Sequence, residues 1–282
     1  MKLKPFKTIG IGATFSPNLE ANLYEASRLA MLFDSKLILI HVGESSDDKK
    51  VKFQSILQPF IEKGLDYDIV FKPGKPVDVI LSITSSYNID LLLIGALKRE
   101  NFVKFYLGSI ARQITRKALC SVLLLTHSSV DNKPCKHIVV NGLKDPKTKE
   151  TICLSFYMAT NFKAKKMTIV EEIAQQEVAV SVEDDKSLRR ANINKERIKL
   201  REDSRVKKLI EDIDEQYTSS VNYNIQPIFG KRGYSIGHYA EVVRADLLIM
   251  NAPDKTSFLD RLFPHDIEHI LTELPTDVLI VR

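Results

Sequence analysis

Four places along the first half of the chain carry residues suited to holding an anionic ligand. The first apolar run ends at Gly12-Ala13-Thr14, the second at His41-Val42 and the fourth at Gly95. The last amphipathic segment of this half opens with Gly108-Ser109-Ile110. The amides at the start of a helix have no acceptor within the helix, and the helix dipole favours negative charge there. A glycine at that point lets a phosphate approach closely, and Ser109 adds a hydroxyl donor. In an open parallel sheet, ligands bind beyond the C-terminal strand ends, where the strand order reverses. Taken alone, a Gly-Ser pair is more often an ordinary helix cap than a phosphate site.

Positioning these residues requires strands and helices in alternation, and the sequence has that pattern. Strands are predicted at 7–14, 36–42, 67–72, 91–95 and 122–126, and helices at 18–33, 51–63, 77–87 and 109–118. Near-continuous apolar strands separated by helical stripes imply a parallel sheet covered on both faces. Residues 127–134 are polar and turn-rich, and read as a linker. The pattern then restarts, with strands at 137–141, 166–171, 221–229, 247–251 and 278–282 and helices at 147–160, 236–243 and 266–274. A charge-dense stretch at about 181–201 reads as an insertion, with little apolar surface to offset its ordering entropy. A helix is predicted after it, at 201–217.

The restart is a true repeat. Residues 90–126 align without a gap on 246–282, placing Asp90 on Asp246, Ile114 on Ile270 and Val122 on Val278. The expected domains are therefore residues 1–127 and 135–282. The copies differ where the chemistry would lie. Asn251 stands for Gly95, Asp254 for Lys98, and Pro264-His265 for Gly108-Ser109. A carboxylate repels phosphate and proline removes a backbone donor, so the second copy is expected to have lost the site.

The first half resembles the universal stress protein family. That family's nucleotide loop reads Gly-x-x-Gly, nine residues, then Gly-Ser or Gly-Thr. Gly95 fills the first position, Lys98 stands at the second glycine, and residues 99–107 precede Gly108-Ser109. Ala13-Thr14-Phe15-Ser16-Pro17 is similar to the family's Val-Asp-Phe-Ser-Pro, and residues 118–125 to its Ala-Pro-Cys-Pro-Val-Leu-Val-Val. The resemblance covers nearly all of residues 7–126 and, more weakly, 136–282. It implies a tandem pair of doubly wound five-stranded parallel sheets, each of order 3-2-1-4-5, and an ATP or AMP site in the first. Val42 would meet the adenine, and Thr14 would stand where an acidic residue usually lies. Gly95, Lys98, Gly108, Ser109 and Ile110 would surround the ribose and phosphates. Lys98, Arg99 or Lys104 could add charge to a phosphate. The partner implied is intramolecular, the two domains forming a pseudo-dimer through their final strands. A homodimer and a protein partner of unknown identity are also open.

Composition excludes several alternatives. Among 282 residues, 44% are hydrophobic and 27% charged, as in soluble globular proteins. No apolar run approaches the ~20 residues of a membrane span, and the N-terminus lacks the apolar stretch of a signal peptide. Three cysteines without metal spacing suit a reduced cytoplasm. A net charge of +5 spread along the chain does not point to nucleic acid. His265 and His269 have a metal-compatible i, i+4 spacing, but no third ligand is identifiable and no metal is expected. Gly230 and Gly233 flank Lys231-Arg232 in what reads as a plain strand-to-helix turn or, less simply, a basic anion-binding turn. The chain is expected to be a stress-response regulator rather than an enzyme. A nucleotide-free interaction scaffold is the alternative and a slow ATP hydrolase the third reading.

Overall fold

The computed structural model describes residues 6–98, 105–178, 183–231, 233–252 and 266–282. The chain forms two compact units: Lys4–Pro134 with Leu271–Arg282, and a second centred on Cys135–Ile270. The first break coincides with the polar linker. The second falls inside the expected second domain, so that residues 271–282 group with the N-terminal unit.

In the N-terminal unit, β1 (Thr8–Gly12), α1 (Leu19–Leu32), β2 (Lys36–Val42), α2 (Asp47–Ile61), β3 (Tyr67–Lys72), α3 (Pro76–Ser86) and β4 (Leu91–Gly95) alternate as expected. Two short strands follow, β5 (Leu97–Lys98) and β6 (Phe105–Tyr106), then α4 (Ser109–Lys117) and β7 (Ser121–Leu125). The parallel order is β3-β2-β1-β4-β7, with Gly10 opposite Ile38 on one side and Leu92 on the other. Ile38, Ile40 and Leu92 pack with Val79, Ile80, Ile83 and Ile114 beneath α3 and α4. On α1 and α2, Tyr24 meets Phe60 edge to face at 5.0 Å. Helix α2 begins a turn earlier than its apolar stripe, because Ser46 caps it, accepting from the Lys49 amide.

The C-terminal unit repeats the scheme. It runs β8 (His137–Asn141), α5 (Thr148–Phe162), β9 (Lys166–Ala174), α6 (Gln175–Val178), α7 (Asp185–Glu211), α8 (Glu215–Thr218), β10 (Tyr223–Gly230), α9 (Tyr234–Val242) and β11 (Leu247–Asn251). Its parallel order is β10-β9-β8-β11, the 3-2-1-4 of the N-terminal unit. The repeat extends to single hydrogen bonds. Asp90 accepts from the amides of Lys7 and Thr8 at 2.9 and 3.0 Å, and Asp246 from Lys136 and His137 at 2.7 and 2.8 Å.

Two expectations change. The stretch at 185–201 is not a separate insertion but the first part of one helix, α7, that runs to Glu211. The hairpin of β5 and β6 was not foreseen. The last elements are α10 (Asp266–Thr272) and β12 (Asp277–Val281), and β12 pairs antiparallel with β7, Leu279 opposite Leu123. Strand β7 is buried along its whole length, so an open edge there would leave an apolar strand unpaired; β12 covers it. The two final strands thus meet as the resemblance implied.

Candidate functional site

The sheet of the N-terminal unit reverses direction between β1 and β4. From β1 the chain winds outward through β2 and β3, then returns to β4 and proceeds to β7. The crevice beyond the C-terminal ends of β1 and β4 is the place where such a sheet offers a ligand site.

Thr14 lies just past β1 and is exposed. Its neighbour Ala13 is fixed on both sides, its amide donating to the Ile40 carbonyl at 2.9 Å and its carbonyl accepting from His41 Nδ1 at 3.0 Å. Phe15, half exposed, stacks on Phe53 at 5.0 Å and touches the His41 ring at 5.2 Å. Val42 closes β2 half-buried on the opposite face of the sheet from His41, against the cluster that contains Ile40, Val79 and Ile80.

Gly95 ends β4, and a Cβ there would lie 2.5 Å from Asn22 Nδ2. A side chain at 95 would therefore displace the Asn22 amide, which α1 brings to the strand end. Lys98 lies in β5, opposite Phe105 of β6. Arg99 and Lys104 lie outside the described residues. Gly108 (φ −65°, ψ 162°) is the N-cap of α4, and the first intrahelical bond runs from the Arg112 amide to its carbonyl at 3.0 Å. The amides of Ser109, Ile110 and Ala111 precede that bond and have no acceptor within the helix. Ser109 and Ile110 are exposed. Arg112 turns back on the same loop, Nε donating to the Leu107 carbonyl at 3.1 Å. No acidic residue stands in the first turn, so helix amides and a guanidinium share one end of α4.

Asn22 and Arg112 are the residues that reading the sequence missed. Both occupy helical positions beside apolar stripes, and only the fold brings them to a loop. The available signal was weak: an amide next to Leu23, and an arginine one turn into a helix that starts with Gly-Ser.

The equivalent crevice of the C-terminal unit is laced by its own side chains. Asn251, at the position of Gly95, donates to Asp145 Oδ1 at 3.2 Å and to Thr148 Oγ1 at 3.1 Å. Asn141 Oδ1 accepts from the Leu143 amide at 3.1 Å. Arg232 lies outside the described residues, and the start of α9 is not free for an external anion. Glu172 accepts from the amides of Gly233 and Ile236 at 2.9 and 2.7 Å, so the start of α9 already holds a carboxylate. Asp254, Pro264 and His265 lie outside the described residues. Among the described residues no group of three or more His, Cys, Asp or Glu is placed to hold a metal. No helix among them is long and apolar enough to cross a membrane. Burial pushes the Cys120 thiol up to about 11 and raises that of Cys153, which keeps both protonated and weakly nucleophilic at neutral pH.

The universal stress protein family model matches residues 49–126. Universal stress protein Sll1388 of Synechocystis sp. is 27% identical over 93 residues, 33% of this chain. The match spans 60% of that relative's length. A universal stress protein from Archaeoglobus fulgidus DSM 4304 superposes with a TM-score of 0.68 at 15% identity, covering 98% of each chain. A functionally unknown protein from Pseudomonas aeruginosa PAO1 does so with a TM-score of 0.69 at 15% identity, covering 98% of this chain and 92% of that one. At these identities the likeness is one of fold.

Proposed function

We propose that this chain, whose residues 49–126 match the universal stress protein family model, is a stress-response regulator whose N-terminal unit binds an adenine nucleotide, ATP or AMP, in the β1–β4 crevice. The observation that carries this reading is the end of α4. Gly108 opens a helix whose first amides lack intrahelical acceptors, and the Arg112 guanidinium lies against the same loop. A phosphate there meets aligned donors and positive charge. The base would lie against Val42, half-buried at the end of β2 on the face that α3 covers. Gly95, Asn22 and the backbone of Lys98 are near enough to the strand end to bound the sugar. The C-terminal unit takes no nucleotide in this reading, because Asn251 and Glu172 satisfy their own surroundings. The protein acts by ligand-dependent state and not by turnover.

The nucleotide-free scaffold is favoured by one feature, Thr14, which offers no carboxylate to the sugar. Titration of ATP and AMP into wild type and Gly108→Asp decides between them. The substitution places a carboxylate where the phosphate would dock, and affinity should fall at least about a hundredfold. Undiminished affinity would place the ligand elsewhere, and a wild type without affinity would leave the scaffold. Phosphate release above background would revive the hydrolase.

A further inference from the structure

The β5–β6 hairpin has two residues in each strand, too few to hold its shape alone. Its supports come from two directions. The Ala96 amide donates to the Leu125 carbonyl at 2.8 Å, which ties its entry to β7. Two further bonds come from Leu271 and Leu274. The Leu274 amide donates to the Phe105 carbonyl at 3.1 Å, and the Leu107 amide to the Leu271 carbonyl at 3.5 Å. Phe105 and Leu274 form an antiparallel bridge just outside the hairpin.

A side-chain cluster secures the same contact. Asp277 Oδ1 accepts from the Thr126 amide and hydroxyl, each at 2.7 Å, and from the His127 amide at 3.3 Å. The Thr126 hydroxyl lies 2.7 Å from His127 Nδ1, and the imidazole meets the Phe105 ring edge to face at 4.9 Å. One carboxylate oxygen thus fixes the ring on which Phe105 rests. Glu25 and Arg28 on α1 form an ion pair at 2.7 Å beside this cluster, holding Ser129. The cluster does not follow from the repeat. Asp277 aligns with Ser121 of the first copy, whereas Asp90 and Asp246 recur in both.

We infer that Leu271–Asp277 is a clamp on the β5–β6 hairpin and Leu107 beside the nucleotide site of the N-terminal unit, with Asp277 as its positioning residue. The second copy, whose Asn251 bonds its own crevice residues, supplies support to Phe105 and Leu107, next to Gly108. Affinity at the first site is then set partly by residues that touch no ligand. The effect on affinity rests on the nucleotide reading above; the effect on the hairpin does not.

The test uses the full chain and two readouts. Amide exchange at Leu107 and Leu274 reports the clamp directly, because both amides donate across the contact. In Asp277→Ala both should exchange about tenfold faster, while amides of β1 and β2 keep their protection. ATP affinity should weaken about tenfold in the same variant, with Asp277→Asn, which keeps an acceptor oxygen, recovering most of it. Should Asp277→Ala not fold, Thr126→Val removes the bridging hydroxyl and should give the same pattern more weakly. Unchanged exchange at Leu107 and Leu274 overturns the clamp. Faster exchange with unchanged affinity overturns its coupling to the ligand. A wild type that binds no ATP refutes the nucleotide reading, and the exchange result still decides the clamp.

Discussion

Glu171 and Glu172 are neighbours on β9, so their side chains point to opposite faces of the sheet, and both are buried. Glu172 is satisfied by the amides at the start of α9. Glu171 has Arg205 Nη2 at 3.2 Å, and Arg205 in turn donates to Glu202 at 2.8 Å and to the Gly142 carbonyl. Burial outweighs the Arg205 charge and pushes the Glu171 carboxyl up to about 7. Folding therefore raises this pKa above its unfolded value of about 4.3. The stabilisation is complete below that value and is lost as pH rises through 7. Urea unfolding followed by circular dichroism should show a loss of about 2–3 kcal/mol between pH 5 and pH 8 from this group. Glu171→Gln should flatten that dependence; an unchanged slope would assign the proton to another residue. Neither glutamate was marked by the sequence as anything but a strand end. The candidate ligands fared differently. Gly95, Gly108 and Ser109 were legible because glycine and serine at element boundaries have local meaning. Asn22 and Arg112 were not, because their roles depend on which loop the fold returns to them.

Among the elements, five strands were legible to the residue. Lys36–Val42, Tyr67–Lys72, Leu91–Gly95, His137–Asn141 and Leu247–Asn251 agree with expectation at both ends. A buried parallel strand is an uninterrupted apolar run, and its limits are those of the run. Helix α7 was half legible. Its second half carries the buried stripe of Val206 and Ile210, while its first half is charged, with Ile198 the buried exception. What starts the helix is local and polar. Asp184 accepts from the Ser187 amide at 2.7 Å, and Ser187 Oγ accepts from the Asp184 amide at 3.0 Å, a reciprocal cap. Lys195 and Lys199 then lie over the Phe229 ring, at 4.6 and 5.9 Å from its centre. Asp184→Ala should fray the first turns only. Amides of Ser187 and Leu188 should lose protection, while Val206 and Ile210 keep theirs. Uniform loss along the helix would mean that the cap and not the packing holds α7. The β5–β6 hairpin was illegible for the opposite reason. Each strand is too short to show a period, and part of its support comes from Leu271 and Leu274, far along the chain.

At the scale of the molecule, the linker was read from composition, but the grouping of residues 271–282 was not, since nothing in a repeat says which unit its last strand completes. Removing residues 271–282 should lower the melting temperature of the N-terminal unit and promote association through the bared edge of β7. Light scattering and thermal melts of the shortened chain would check this; an unchanged oligomeric state and melting temperature would show that β7 tolerates exposure. The Thr126–Asp277 bond joins residues 151 apart in sequence. That distance has a consequence for synthesis. Translation delivers residues 135–270 before the strand that covers β7, so the earlier unit waits, edge open, until Asp277–Val281 is made. A message cut short anywhere in the second half would yield a first unit that can form its β3-β2-β1-β4-β7 order yet lacks its cover. In the cell, synthesis of β12 is what closes the unit that was made first.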